Sequence, residues 1–559
     1  MKATPETREH LLRQLLKIPC ITASPEEDQG AQFIYKHLSG LPYFKEHPAD
    51  LALLDTPLEG DGRPLHSVIA RVRPAKPSNK AVLLIGHFDV VETSMYGDVR
   101  EYAFNPDALA EHLDRALISP EALADLESGN YIFGRGSMDM KCGLALEMEL
   151  LREFSEECDL FDVNLIFAAV ADEENASAGM RGVAPYLADL QEREGLEYLA
   201  VINTEPSEPG RPQAKNPVIF TGTVGKLMPA FLCVGFESHV GNYYAGLNAT
   251  LISSNIVSLA EGNPELADPE GAATPSWICL DHKILREGYS VTVPNRAVAY
   301  FNCFATSKSP AVVLQEMLNI AKKAALMTAA QVEYSAAEMR NMGYAGPVTP
   351  WKIPTVTFAE VYASAVKKHD GEAEVNSHIQ AFLERRQASD AARGASSDLR
   401  DLAIDVWQEI FLLSGLTGPL IIVGFLPPYY PPRRPHSKTP PHAALLRVVE
   451  KTIAKAAKDY QITMEQADLF MGLCDLSYFG FQGDQQELIS LAENMPGWRQ
   501  VYSIPVEALL KLDVPVMNLS VKGYDAHKMT ERLEREYSLR ILPELMHYVI
   551  TQLAEEARP

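Results

Sequence analysis

The sequence has few cysteines, no long apolar run and a shortage of positive charge, and each lack narrows the chemistry. Its seven cysteines, at 20, 142, 158, 233, 279, 303 and 474, are widely spaced and form no C-x-x-C pair. An odd, dispersed set reads as buried reduced thiols, which points to the cytoplasm. No stretch approaches the roughly 18 consecutive apolar residues that cross a bilayer, so no membrane partner is expected. The first twenty residues are charged and amphipathic, without the apolar core or cleavage site of a signal peptide. Lys and Arg number 50 against 74 Asp and Glu, a net charge of −24 with neutral His. That balance repels phosphate backbones and anionic lipid, so nucleic acid is not expected as a partner.

What remains is an ordinary globular composition, 47% apolar and 22% charged over 559 residues. At roughly 150 residues per domain, with allowance for one large α/β unit, two or three domains are expected. Leu11, Leu12, Leu15 and Leu16 make a helical stripe, and a second helix follows near Gln29–Leu38. Apolar runs at 67–72, 81–86, 163–170 and 198–203 read as strands buried on both faces, alternating with helices such as Gly143–Glu157. From Thr221 the texture changes: strands at 227–236, 289–294 and 297–305 surround a helix at Ala249–Glu261, and two or three helices fill 355–415. A strand at 419–426 then meets PPYYPPRRPHSKTPP, seven prolines in fifteen residues, which is a linker or stiff loop. Beyond it lie a helix at 443–459, a strand at 515–521 and a last helix at 528–554. The outline is an α/β domain in two parts, 1–220 and 440–559, interrupted by an inserted domain at 221–439.

Five short segments carry the chemistry. LLIGHFDVV ends an apolar strand with His87 and Asp89, and GRGSMDMKCG sets Asp139 in a glycine-bracketed loop before a helix. ADEENASAG places Glu173 and Glu174 after another strand, VINTEPSEPG places Glu205 after a third, and KGYDAHKM brings His527 near the end. Ligands in open α/β sheets gather outside the carboxyl ends of strands. Alone each segment fits a satisfied loop residue; together they deliver imidazole and carboxylate to one sheet edge. That donor set suits zinc, cobalt or manganese, and a carboxylate shared by two ions makes a two-metal site. Five ligands leave one spare glutamate as a general base for water. Cys142 reads as a buried thiol and Asp475 as structural. GTVGKL at 222–227 lacks the spacing and the hydroxyl of a phosphate loop.

In this order the five motifs resemble the M20 family of di-zinc peptidases, deacylases and carboxypeptidases, and the length and enlarged insert are similar to its arginine-utilisation branch. The resemblance implies a zinc-peptidase-like mixed sheet with helices on both faces, interrupted by an inserted α+β lid. It implies two divalent cations, most simply zinc, with Asp139 bridging them, His87 and Glu205 completing one, and Glu174 and His527 the other. Glu173 would be the base, Asp89 would orient His87, and the Asp139–Met140 peptide would be cis. His239 would polarise the scissile carbonyl, reaching across a dimer formed through the lid. The family's substrate-gripping Asn and Arg have no clean counterpart; Asn295 and Arg296 are the nearest candidates, with Lys283, Arg286, Tyr429, Tyr430, Arg433 and Arg434 as alternatives. The implied reaction is hydrolysis of an exopeptide or N-acyl amide bond of a small amino-acid derivative or dipeptide, in arginine or amino-acid catabolism. A non-catalytic metabolite-binding or assembly protein on the same fold stands as the alternative. Phosphate-ester hydrolysis would call for more Lys and Arg in these motifs.

Overall fold

The computed structural model describes residues 3–558 except 57, 59–62, 208–215, 269–274, 287 and 394–397. Its strands, in chain order, are β1 (Leu51–Asp55), β2 (His66–Val72), β3 (Lys80–His87), β4 (Tyr131–Phe133), β5 (Asn164–Val170), β6 (Glu197–Asn203), β7 (Val218–Phe220), β8 (Gly225–Leu227) and β9 (Pro229–Val234). They continue with β10 (Ile278–Ile284), β11 (Arg296–Ala305), β12 (Thr355–Thr357), β13 (Leu420–Phe425), β14 (Glu465–Ala467), β15 (Val516–Leu519), β16 (Gly523–Tyr524) and β17 (Arg532–Glu534).

An eight-stranded mixed sheet runs β1-β2-β5-β3-β6-β15-β7-β14. At its centre β5, β3, β6 and β15 are mutually parallel, so their carboxyl ends share one edge. These strands are buried along almost their whole length, as expected of a sheet covered on both faces. Helices Pro5–Leu16, Lys141–Glu156 and Leu542–Glu556 cover one face with an apolar layer that includes Leu12, Leu144, Leu146 and Met546. Helix Ala178–Glu194 covers the other through Met180, Val183 and Leu187. A second sheet runs β10-β11-β9-β13-β12, with β8 paired to β11. Its one side packs on helices Ala249–Ala260 and Pro310–Asn341. Its other side packs on helices Phe358–Lys368, Glu372–Arg393 and Leu399–Ser414, around the fully buried Trp407.

This is the α/β fold with an α+β insert that the sequence implies. The strands at the sheet centre fall within a residue or so of their expected positions. Two expectations differ. Residues 289–294 form no strand: Ser290 and Thr292 hydrogen-bond each other, and Arg286 bonds the Thr292 carbonyl, so polar loop contacts replace a ladder. The strand there is β10, whose alternating exposure marks an edge. The last helix starts only at Glu536, with a π-helical turn that runs on into Leu542–Glu556, because Arg532–Glu534 pair with β4 and β16. The proline-rich segment is a buried strap at 427–431, held where Lys226 bridges Tyr430 and Thr223 bridges Arg433.

Candidate metal centre

The parallel core decides the geometry. β3 ends on His87, β5 runs into Glu173 and Glu174, and β6 into Glu205, all on the carboxyl edge. Asp139 precedes helix Lys141–Glu156, and its peptide to Met140 is cis. His527 arrives from the turn after β16.

Asp139 sits between two imidazoles. Its Oδ1 is 3.3 Å from His87 Nε2 and its Oδ2 is 3.1 Å from His527 Nε2. Glu205 Oε1 lies 3.4 Å from His87 Nε2, and Glu174 Oε1 lies 3.2 Å from His527 Nε2. Glu173 Oε2 stands 3.8 Å from His87 Nε2. All five residues expected as ligands, and the expected base, therefore meet at one place. His87, Glu173 and Glu205 are buried, whereas the His527 side chain is 50% exposed, so the cluster opens on the His527 side.

The donor chemistry fits a cation. His87 Nδ1 lies 3.0 Å from the Asp89 carbonyl oxygen; with the Nδ1 proton donated there, Nε2, which faces the carboxylates, is the atom a cation would take. Among the described residues that buried Nε2 and Glu205 Oε1 have no hydrogen-bond partner. Burial pushes Glu173 well above the usual carboxylate range and Glu205 up to about 7. Asp139 is held low despite its burial, because the His527 and His87 imidazoles face its two oxygens. His527 is raised to about 11 by its bonds to Asp139 and Glu174. Glu173, Glu174 and Glu205, all raised by burial, hold protons more readily unless a cation neutralises them.

The surrounding residues fix this arrangement. Asp89 meets His87 Nδ1 through its carbonyl oxygen, and its carboxylate accepts from the Glu173 and Glu174 amides at 3.1 and 3.2 Å and from Thr22 Oγ1 at 2.8 Å. It stands 3.5 Å from His87 Nδ1, so its main chain is the closer partner of the ring. Glu531, which sequence reasoning did not single out, accepts from the amides of Met138 and Asp139 and pairs with Arg135 at 2.6 Å. Glu147 accepts from Thr204 Oγ1 at 3.0 Å, and Asn518 Nδ2 donates to the Glu205 carbonyl at 3.2 Å. A Cβ on Gly143 would lie 2.0 Å from Thr204 Oγ1, so only glycine lets the helix approach the Glu205 loop this closely. Left-handed backbone at Asp172 (φ 61°), Ser177 (φ 50°) and His527 (φ 65°) gathers around the same cluster.

The remaining candidates lie elsewhere. His239 is exposed and accepts the Gly241 amide at 3.1 Å, capping its own turn. The Asn295 carbonyl accepts from Gly235, and the Arg296 guanidinium stacks 5.4 Å over Phe411 and reaches Gln408. Lys283 pairs with Asp281 and Asp401, and Arg286 holds Thr292. Arg433 bonds Asp513 and the Val514 carbonyl, and Arg434 hydrogen-bonds Gln482 through its main chain. The main-chain amide of Tyr429 donates to Tyr502, but the Tyr430 hydroxyl reaches the Glu173 carbonyl at 3.4 Å and so forms part of the site wall. Cys142 is buried, and so is Asp475.

Fold and cluster together define an α/β metallohydrolase of the peptidase type. The chain belongs to peptidase family M20/M25/M40, whose pattern matches residues 83–494. It is 33% identical over 552 residues to YqjN, an uncharacterized protein of Bacillus subtilis, spanning 98% of this chain and 96% of that one. It is 27% identical over 555 residues to RocB of the same organism, spanning 99% and 96%. Among solved structures, the dipeptidase Dug1p of Saccharomyces cerevisiae superposes with a TM-score of 0.53 at 12% identity, over 99% of this chain and 97% of that one. Among the described residues no helix is long and apolar enough to cross a membrane.

Proposed function

We propose that the chain is a two-metal amidohydrolase that cleaves the exopeptide or N-acyl bond of a small amino-acid derivative or dipeptide. The observation that carries this reading is Asp139, whose two oxygens face imidazoles from opposite ends of the motif order at 3.3 and 3.1 Å. His87 and Glu205 would hold one cation, Glu174 and His527 the other, and Asp139 both. Two such ions, zinc by the donor set with cobalt or manganese as alternatives, would supply Lewis acidity and would lower the pKa of a bound water to about 7. Glu173 is the proton carrier: its burial favours the protonated form after transfer, so it can take a proton from water and return it to the leaving amine. Asp89 holds the Glu173–Glu174 backbone, and Glu531 holds that of Asp139, so the main chain that carries these three carboxylates is fixed.

Residues 221–439 form the lid unit in this reading, and 1–220 with 440–559 form the catalytic unit. The exposure of His239 supports a role in trans, in which a second copy presents it to the scissile carbonyl. Light scattering on the purified chain checks this, and a strict monomer would remove the trans role. The seven thiols are all free, which supports a cytoplasmic setting, and the resemblance to the arginine-utilisation branch supports a place in amino-acid catabolism. The test of function is amine release from N-acyl amino acids and dipeptides, arginine and ornithine derivatives included, with added Zn²⁺, Co²⁺ or Mn²⁺ and with chelator. Chelator-sensitive release is the expected result; silence on every substrate and metal favours the non-catalytic alternative.

A further inference from the structure

Away from the metal centre, a cavity of about 720 Å³ opens between three helices packed on the second sheet and a loop at 492–500. Helices Phe358–Lys368, Glu372–Arg393 and Leu399–Ser414 supply its other walls. None of the six residues that meet at the centre lines it. Its volume is that of a small-molecule site.

The walls are set without a ligand. The buried Asn494 accepts the Ala359 amide on its side chain at 3.2 Å and the Phe425 amide on its carbonyl at 2.8 Å, which ties the loop to the first helix and to β13. The chain then turns through left-handed backbone at Gly497 (φ 73°) and Arg499 (φ 67°), and the Gly497 carbonyl accepts the Gln500 and Val501 amides at 2.9 and 2.7 Å. Gln500 Nε2 donates to the Asn376 carbonyl at 3.0 Å and pins the loop to the second helix. A non-glycine residue held in left-handed backbone, as Arg499 is, belongs to the local strain that ligand sites keep.

The lining divides by chemistry. Phe358, Ile379, Val406, Ile410 and Met495, each 4% exposed or less, make an apolar floor. Nearer solvent stand the half-buried rings of Tyr362 and Trp498 and the exposed carboxylates of Glu372 and Glu493. The Tyr362 hydroxyl donates to Asn376 Oδ1 at 2.9 Å and lies 3.4 Å from Glu372 Oε1. Among the described residues neither glutamate has an ion-pair partner, and Arg499, the one cation on the lining, pairs with neither. Two carboxylates against one guanidinium leave the lining with an excess negative charge, on a chain whose net charge is −24. Aromatic rings beside carboxylates attract a cation, the floor takes an apolar body, and an anion would meet like charge.

We propose that this cavity is a second ligand site, for a small organic cation that carries an ammonium group on an apolar body. The body fills the floor, and the ammonium lies against the Tyr362 and Trp498 rings within reach of Glu372 and Glu493. The site uses no residue of the metal centre and stands independently of the hydrolase reading.

Phenethylamine is the probe, titrated into the full chain by calorimetry. Phenylacetate, which keeps the ring but reverses the charge, and ethylamine, which keeps the charge without the ring, are then tested as competitors. One phenethylamine per chain is expected, with either competitor at least tenfold weaker, the combined worth of a cation–π contact and partly exposed ion pairs. Glu372→Gln/Glu493→Gln is expected to lose about fivefold or more in affinity. Ala363→Trp, which plugs the rim, is expected to lose about tenfold or more. All three positions are exposed, so thermal unfolding stays close to wild type and the losses report the cavity. No saturable binding, phenylacetate competing as well as phenethylamine binds, or an affinity unchanged in either variant overturns the site.

Discussion

Replacing Glu173 by glutamine separates proton transfer from metal binding. The carboxylate is buried and 3.8 Å from His87, but Asp139, Glu205, Glu174 and His527 all make shorter contacts with an imidazole or its partners. The isosteric amide keeps the shape of the turn, whose backbone is fixed by Asp89. In the proposed assignment it removes the one carboxylate of the cluster not given to a cation, and with it the proton carrier. Loss of a positioned general base lowers rates by about 10² to 10⁴, or about 3–5 kcal/mol of barrier. Because the base acts in the transition state, kcat should fall by nearly the whole factor while KM stays within about threefold. Steady-state amine release and plasma mass spectrometry on the same sample give rate and metal content together. A variant that turns over within threefold of wild type removes Glu173 from the reaction. A variant that loses its metals along with its rate makes it a ligand instead.

Three other substitutions test the supports of the site. Gly143→Ala forces a Cβ to within 2.0 Å of Thr204 Oγ1, so the helix or the Glu205 loop must move. The expected outcome is about 1–3 kcal/mol of lost stability by urea unfolding together with weaker metal retention; wild-type values on both would refute the close approach. Glu531→Ala leaves the Arg135 guanidinium buried without its 2.6 Å partner and frees the Asp139 amide. A loss of about 3–5 kcal/mol is expected by the same unfolding measurement, and a loss below 1 kcal/mol would show that the pair does not hold the loop. His442 is pushed down to about 4 by burial, with the neighbouring His436 adding to the effect. A histidine with a depressed folded-state pKa contributes stability that is present above the unfolded value of about 6.5 and is lost as pH falls toward 4. The wild-type chain should therefore lose on the order of 3 kcal/mol more than His442→Gln between pH 7 and pH 4, and parallel curves would contradict the burial effect.

The parts of the fold legible in the sequence were those with local causes. The apolar runs of β3, β5 and β6 announce strands covered on both faces, and the residues that follow them are the ones the parallel register brings together. Where local signal and tertiary context part, reading fails. The alternating residues 289–294 look like a strand, but their polar side chains satisfy one another in a loop. The charged stretch 528–534 looks helical, but Arg532–Glu534 pair with β4, about 400 positions earlier in the chain, and no local pattern reports such a partner. The same holds for Glu531, one charged residue among many, whose relation to the centre exists only once distant segments meet. The five ligand candidates were visible because each stands at a strand or turn end in a distinctive short motif, whereas the groups that hold and flank them carry no such mark.

The most direct measurement is the metal content of the purified chain beside its Asp139→Asn variant, after reconstitution with zinc, cobalt or manganese. Two divalent ions per wild-type chain are expected, with the occupancy of both lowered together in Asp139→Asn because one side chain serves both. A single ion in the wild type, or full occupancy in the variant, would contradict a shared two-metal centre.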